Sequence, residues 1–424
     1  MSAGAKQPDY VVKHGAPHCR RFVEQRWLLD QTIRANGMDW DQPRSIYLSA
    51  PCGSEAGADF VGLRMRIQKL ADAAGAFEAV AKRREGRAKQ FEAEGALVSA
   101  RDNYFMASIH WGGAMWTLDE NSEQNIAYNE RKRVCYRNYA RLASGMADHR
   151  VEEVWIPLGD RALPAWFHLP YGYSGGEVPA VVSIPGMDSF KESGVSLNGD
   201  KWLSRGMAVL SIDGPGQYES PLVGVYFSMQ NWEKAATAAF DWLAARREVD
   251  AERIGVSGTS FGTLFGTVSA ASEPRYKACA INAPCLEPGC HTIFQEASPT
   301  FKQRFMFMSD IQDEDEFDRF RQSISWEGYA QKIKAPFLCL SGESDELSPL
   351  SHVERMFSVM DCPRQLVIYQ DSRHAIGSVP SANLGPFPQT LMADWMLARL
   401  NGKLFASERW FVEASGRIDK KPIG

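Results

Sequence analysis

Apolar residues along the chain change their spacing twice, near residue 58 and again near residue 148. Residues 1–57 hold no sustained period and carry turn residues at Gly15, Pro17, Pro43, Pro51 and Gly53, which predicts an irregular arm. Over 58–148 apolar positions recur every three or four residues, as in NIAYNERKRVCYRNYARLA, predicting an all-helical segment interrupted near Gly112-Gly113. Beyond 148 the period shortens. VEEVWIPL and ALPAWFHL flank Gly159-Asp160 and read as a hairpin. The short runs PAVVSIP, MAVLSID, RIGVSG, KACAINAP, PFLCLSG and QLVIYQ then alternate with amphipathic stretches such as NWEKAATAAFDWLAARREV. Runs apolar on both faces, separated by helices, predict a mostly parallel sheet covered on each side, so residues 149–424 form an α/β core. Ligands of such sheets bind beyond the carboxyl ends of the strands.

Composition narrows the class. The chain has 424 residues, 44% hydrophobic and 23% charged, which suits two domains or one large domain with an addition. A net charge of −5 gives no basic footprint for nucleic acid or an anionic membrane. The clusters Lys82-Arg83-Arg84 and Arg131-Lys132-Arg133 are interleaved with acids and read as solvated helix faces. The N-terminal stretch lacks the apolar core of a signal peptide, and no run reaches membrane-spanning length. Eight scattered cysteines without a CxxC pair read as reduced thiols of a cytoplasmic protein. Cys285, Cys290 and His291 do not match zinc spacing, and neither a metal nor another cofactor is expected.

Candidate chemistry falls where the sheet would deliver it. Gly258-Thr259-Ser260-Phe261-Gly262 lies between a predicted strand and a predicted helix and matches the G-x-S-x-G elbow; a plain turn serine is the alternative. A nucleophilic serine needs an acid and then a histidine further along. Asp345 and His374 follow the next suitable strands in that order, with Glu343 and Asp371 as competing acids. The backbone N–H of Phe261, and that of Met187 in the Gly186-Met187 turn, are candidates to hold an oxyanion. Asp213 and Gly214-Pro215-Gly216 fit an adjacent turn. His110, Trp111, Trp116 and Tyr218 fit either an apolar substrate pocket or packing between cap helices.

GMDSFKE, SIDGPGQ, GTSFG, GESDELSP and SRHAIG occur in this order. Together with YFMASIHWGGAMW and NERKRVCYRNYARL upstream, the chain resembles the α/β-hydrolase superfamily. More narrowly it is similar to the 2,6-dihydroxypseudooxynicotine hydrolase group, with the fungal polyketide-shortening hydrolases and FrsA-like esterases. The resemblance spans about residues 60 to 400. It implies an α/β-hydrolase fold with a mostly parallel eight-stranded sheet, a helical N-terminal cap to which about 285–333 contribute, a Ser–His–Asp triad and a homodimer. It also implies hydrolysis of a small-molecule carbonyl compound. Cleavage of a C–C bond beside a ketone in an aromatic or polyketide-like substrate leads, carboxylic ester or lactone hydrolysis is the alternative, and a non-catalytic binding protein is a third reading. The C–C enzyme of the group uses a pocket glutamate after the sixth core strand. Glu296 aligns best with it and Glu287 second.

Overall fold

The computed structural model describes residues 5–13, 15–146, 149–195 and 200–423. The strands are β1 (Val151–Leu158), β2 (Arg161–His168), β3 (Val178–Ile184), β4 (Ala208–Ile212), β5 (Val249–Thr259), β6 (Cys279–Asn282), β7 (Phe337–Gly342), β8 (Arg364–Tyr369), β9 (Glu408–Val412) and β10 (Ile418–Pro422). They form one sheet in the order β1-β2-β4-β3-β5-β6-β7-β8-β9-β10. Pairing is parallel from β4 through β9 and antiparallel for β1 with β2, β2 with β4, and β9 with β10. The hairpin around Gly159-Asp160 forms, with Leu158 opposite Arg161.

The sheet therefore has ten strands rather than the expected eight. The two additional strands lie at one edge, where β9 is only half-buried and β10 is mostly exposed. Neither carries the continuous apolar run that marks a strand covered on both faces. Interior strands do. In β6, Cys279 and Ile281 join the core on one side and Ala280 joins the core on the other.

The first core packs under the helices Met229–Ala244, Gly262–Ser272 and Leu350–Val359, and the second under Pro388–Leu400.

N-terminal to the sheet, residues 20–145 are largely helical: α1 (Arg20–Glu24), α2 (Arg26–Asn36), α3 (Arg44–Ser49), α4 (Gly57–Arg66), α5 (Ala73–Ala93), α6 (Leu97–Met115) and α7 (Glu123–Gly145). In chain order the core adds α8 (Lys191–Gly194), α9 (Glu219–Leu222), α10 (Met229–Ala244), α11 (Gly262–Ser272) and α12 (Pro299–Met308). Three early expectations change. The first 57 residues are not an irregular arm, because α1–α3 are short helices whose burial depends on the cap; only Leu29 and Ile33 of α2 are buried. The chain does not break at Gly112-Gly113, since α6 runs through both. Their missing side chains admit rings: a Cβ on Gly112 would lie 2.1 Å from Cζ of Phe190, and one on Gly113 2.5 Å from Phe77. The basic cluster at 131–133 is not a solvated face either. Lys132 and Arg133 are fully buried, with Lys132 2.9 Å from Glu192 and Arg133 2.8 Å from Glu153.

The cap has its own apolar core, built from α2, α4, α5, α6 and α7. It reaches the sheet through Trp166, Phe190, Tyr218 and Leu222. Phe190 follows β3 and Tyr218 follows β4, so the cap rests on the loops at the carboxyl ends of these strands.

Candidate active site

β5 ends at Thr259, and α11 begins at Gly262. Between them Ser260 takes φ 55°, a left-handed conformation that non-glycine residues rarely adopt. The bend closes only because its flanks lack side chains. A Cβ on Gly258 would lie 1.9 Å from the carbonyl oxygen of Gly262, and one on Gly262 2.5 Å from those of Ile184 and Pro185. Ser260 is thereby lifted above the sheet edge at the amino end of a helix.

The loops after β7 and β8 bring the other groups to it. Nε2 of His374 is 2.9 Å from Oγ of Ser260. Nδ1 of His374 lies 2.9 Å from Oδ2 and 3.1 Å from Oδ1 of Asp345. Asp345 is itself fixed, since Oδ1 accepts from the N–H groups of Leu347 and Ser348 at 2.9 and 3.1 Å. Glu346 accepts from the His374 N–H at 2.9 Å. The competing acids face elsewhere: Glu343 accepts from the N–H of Asp371 at 3.0 Å. Burial opposes a charged imidazole at His374, but the Asp345 carboxylate, with the Cys285 sulfur beside it, more than offsets this and holds the pKa well above the ordinary histidine value.

Gly186 presses on Ser260. A Cβ there would meet Cβ of Ser260 at 2.9 Å and Oγ at 3.5 Å. The neighbouring Met187 is buried, and among the described residues no acceptor pairs with its N–H or with that of Phe261. The Phe261 ring packs on Phe305 of α12 at 4.6 Å. Both N–H groups thus belong to residues that flank Ser260, one in the loop after β3 and one at the start of α11.

Sequence reasoning weighed Cys285 only as a metal ligand and not as a neighbour of Ser260, yet its Sγ lies 3.8 Å from Oγ of Ser260. Its signal was positional: it follows β6 at the same sheet edge as the other groups.

The remaining candidates divide. Trp116 stacks on Trp40 at 4.6 Å, carries the Arg44 guanidinium 3.8 Å above its ring, and lines a small cavity of about 20 Å³ with Asp188, Phe301 and Arg304. Tyr218 donates to the Asp188 carbonyl at 3.2 Å and so braces the loop after β3. His110 and Trp111 are not pocket residues; they fill the cap interior. His110 sits between Phe60 and Phe77, and Trp111 packs on Tyr128. Glu296 is not a pocket acid. The turn Thr292–Glu296 buries Ile293 and Phe294 and leaves Glu296 exposed, 3.4 Å from His291. The Glu287 carboxylate accepts from the N–H of Thr292 at 2.8 Å, capping that turn. Among the described residues no group of three or more His, Cys, Asp or Glu side chains is placed to hold a metal, and no helix is long and apolar enough to cross a membrane.

A mostly parallel sheet, a strained serine between strand and helix, and a helical cap over the strand ends define the class: the chain has the α/β-hydrolase fold. Residues 196–402 match the model of the prolyl oligopeptidase family. Over 352 residues the chain is 28% identical to the 2,6-dihydropseudooxynicotine hydrolase of Paenarthrobacter nicotinovorans, covering 80% of this chain and 87% of that protein. It is 26% identical over 290 residues to the α/β hydrolase ucsC of Acremonium sp., covering 63% of this chain and 56% of the relative. The crystal structure of 2,6-dihydroxy-pseudo-oxynicotine hydrolase superposes with a TM-score of 0.71 at 26% identity, over 85% of this chain and 97% of that one.

Proposed function

We propose that the protein is a serine hydrolase that cleaves a C–C bond beside a ketone in an aromatic or polyketide-like small molecule. The observation that carries the serine chemistry is the continuous line from Ser260 Oγ through the His374 imidazole to Asp345. His374 Nε2 takes the Ser260 proton as Oγ bonds to the carbonyl carbon. Asp345 holds the Nδ1–H and stabilises the imidazolium. The N–H groups of Met187 and Phe261 receive the charge that develops on the carbonyl oxygen. Collapse of the adduct breaks the C–C bond, and the departing carbanion takes the proton from His374. This leaving group must be delocalised, as in a β-diketone or an acylated phenol. Water, deprotonated by His374, then releases the acyl group from Ser260.

Similarity to a ketone-substrate hydrolase across the cap as well as the core favours C–C cleavage. One observation favours the second reading, ester or lactone hydrolysis: Glu296 lies at the surface, and ester cleavage needs no additional acid. A panel of β-diketones, acyl phenols and esters, read by product mass, separates the two. Ser260→Ala is expected to fold and to lose turnover of every substrate that the wild type cleaves. Turnover at the wild-type rate in that variant would refute the assignment.

A further inference from the structure

We infer that Gln217 is a positioning residue that aims the oxyanion-binding N–H of Met187. Gln217 lies in the turn after β4, is fully buried, and makes no contact with the triad in the hydrogen bonds of its side chain. Its Oε1 accepts from the N–H of Gly214 at 2.9 Å. Its Nε2 donates to the carbonyl of Pro185 at 2.6 Å and to that of Gly186 at 3.3 Å. These partners fix the orientation of the amide, because only its oxygen can serve the Gly214 donor and only its nitrogen can serve two carbonyls.

The carbonyl of Gly186 and the N–H of Met187 belong to one planar trans peptide and point in opposite directions. Holding the oxygen from the β4 side therefore turns the N–H away from Gln217. The Pro185 carbonyl, held by the same amide, fixes the preceding peptide as well. Gly186 lies against Ser260, since a Cβ on it would come within 2.9 Å of the serine Cβ. The start of α11 braces the loop from the other side, where the carbonyl of Pro185 lies 2.5 Å from where a Cβ on Gly262 would stand. One buried amide thus sets the rotation of the peptide whose N–H borders the nucleophile. A water molecule could satisfy the same carbonyls but would not hold them at a fixed angle.

The inference rests on reading Ser260 as the nucleophile and the Met187 N–H as an oxyanion donor. The probes are chosen so that no knowledge of the natural substrate is needed. The rate of fluorophosphonate labelling of Ser260 is followed by intact mass. Affinity for an aryl trifluoromethyl ketone, which forms a tetrahedral adduct, is compared with affinity for the matching methyl ketone, which binds without one. In Gln217→Met, which keeps side-chain length and loses both hydrogen-bonding functions, labelling slows by about 100-fold, the scale of one misdirected oxyanion donor. Affinity for the trifluoromethyl ketone falls in parallel, while that for the methyl ketone moves less than threefold. A folded variant that labels within threefold of wild type, or that loses both ketones equally, overturns the inference. If Gln217→Met does not fold, Gln217→Glu decides. Its protonated carboxyl donates one hydrogen bond and its carboxylate none, so its labelling rate relative to wild type should rise as pH falls; a flat ratio overturns the inference. Ser260→Ala, run alongside, separates the two layers. Labelling at another residue with Ser260→Ala still labelled refutes the nucleophile, whereas an unlabelled Ser260→Ala with a normal Gln217→Met refutes only the role of Gln217.

Discussion

Gly112 offers a quantitative test of how the cap is seated. The first perturbation is Gly112→Ala, and the control is Gly86→Ala. Both positions are interior to long helices, α6 and α5. A Cβ at 86 meets nothing within 4 Å, whereas one at 112 would stand 2.1, 2.5 and 2.6 Å from three atoms of the Phe190 ring. Carbon atoms in contact normally sit about 3.5 Å apart or more, so the shortfall is about 1.4 Å. The ring has little room to yield: Phe190 is fully buried, with Tyr218 4.9 Å away and the Lys132 ammonium 5.2 Å from its centroid. Either α6 lifts or the loop carrying Met187 and Phe190 shifts.

Replacing glycine by alanine within a helix contributes about 1 kcal/mol of stability where nothing obstructs it. Overpacking costs about 1–3 kcal/mol, and a shortfall this large belongs at the upper end. Gly86→Ala should therefore stabilise by about 1 kcal/mol and Gly112→Ala destabilise by about 2 kcal/mol, a separation of about 3 kcal/mol. Thermal unfolding of the two variants beside wild type gives the signs directly. Adding Phe190→Leu to Gly112→Ala should recover part of the loss, because the two sites share the clash. A Gly112→Ala variant that melts at or above wild type would show that α6 does not press on that loop, and the argument would fail.

Two further outcomes follow from the site. Glu296→Gln should change cleavage of ketones and of esters by less than twofold, since the carboxylate is exposed and lies beside His291 at the surface; a selective loss on ketones in steady-state assays would restore the pocket-acid role. The acid limb of kcat/KM should have its midpoint above the ordinary histidine value of about 6.5. In the proposed reaction turnover requires neutral His374, and Asp345 favours the protonated form, so activity is lost as pH falls through the raised pKa; a limb at or below pH 6 would contradict this.

Ser260, Asp345 and His374 were legible as a set because each follows an apolar run that could only be an interior strand, in the chain order this architecture requires. Ser260 was readable for a second reason: its glycine neighbours at 258 and 262 are demanded by backbone contacts, and glycine leaves a trace in sequence. Gly112 leaves the same trace with the opposite meaning. A glycine pair in a helical pattern looks like a break, and only the ring of a residue almost eighty positions away turns it into a close contact. Helices α1–α3 were lost for lack of length, since a few turns between prolines and glycines do not establish a period. β9 and β10 were lost because an edge strand need not be apolar. Glu296 was carried by alignment to a relative, and the apolar neighbours Ile293 and Phe294 decided which way that turn faces.

Buried charge was the least legible feature, and it explains why a helical prefix accompanies GMDSFKE and SIDGPGQ in one chain. Lys132 and Arg133 of α7 enter the protein together and meet carboxylates from the loops after β3 and β4. Lys132 lies 2.9 Å from Glu192, and Arg133 3.3 Å from Glu219. Lys191 pairs with Glu192 at 2.8 Å and with Glu219, while its N–H donates to Asp213 at 2.7 Å. Burial alone would raise the pKa of Glu192, but Lys132 and Lys191 pull it below the usual carboxylate range. Asp213, farther from both ammonium groups at 3.5 and 3.9 Å, does not escape the effect of burial and is raised. Buried ion pairs contribute little net stability compared with apolar packing, but removing one partner leaves a desolvated charge and costs about 3–5 kcal/mol. Such a network tolerates only one register between α7 and the two loops. The same loops carry Met187 and Gln217, so the charges that seat the cap also fix the backbone beside Ser260. A core with this motif and a cap without the paired cations would bury uncompensated carboxylates at the edge of the site, which is a physical reason for the two segments to occur together.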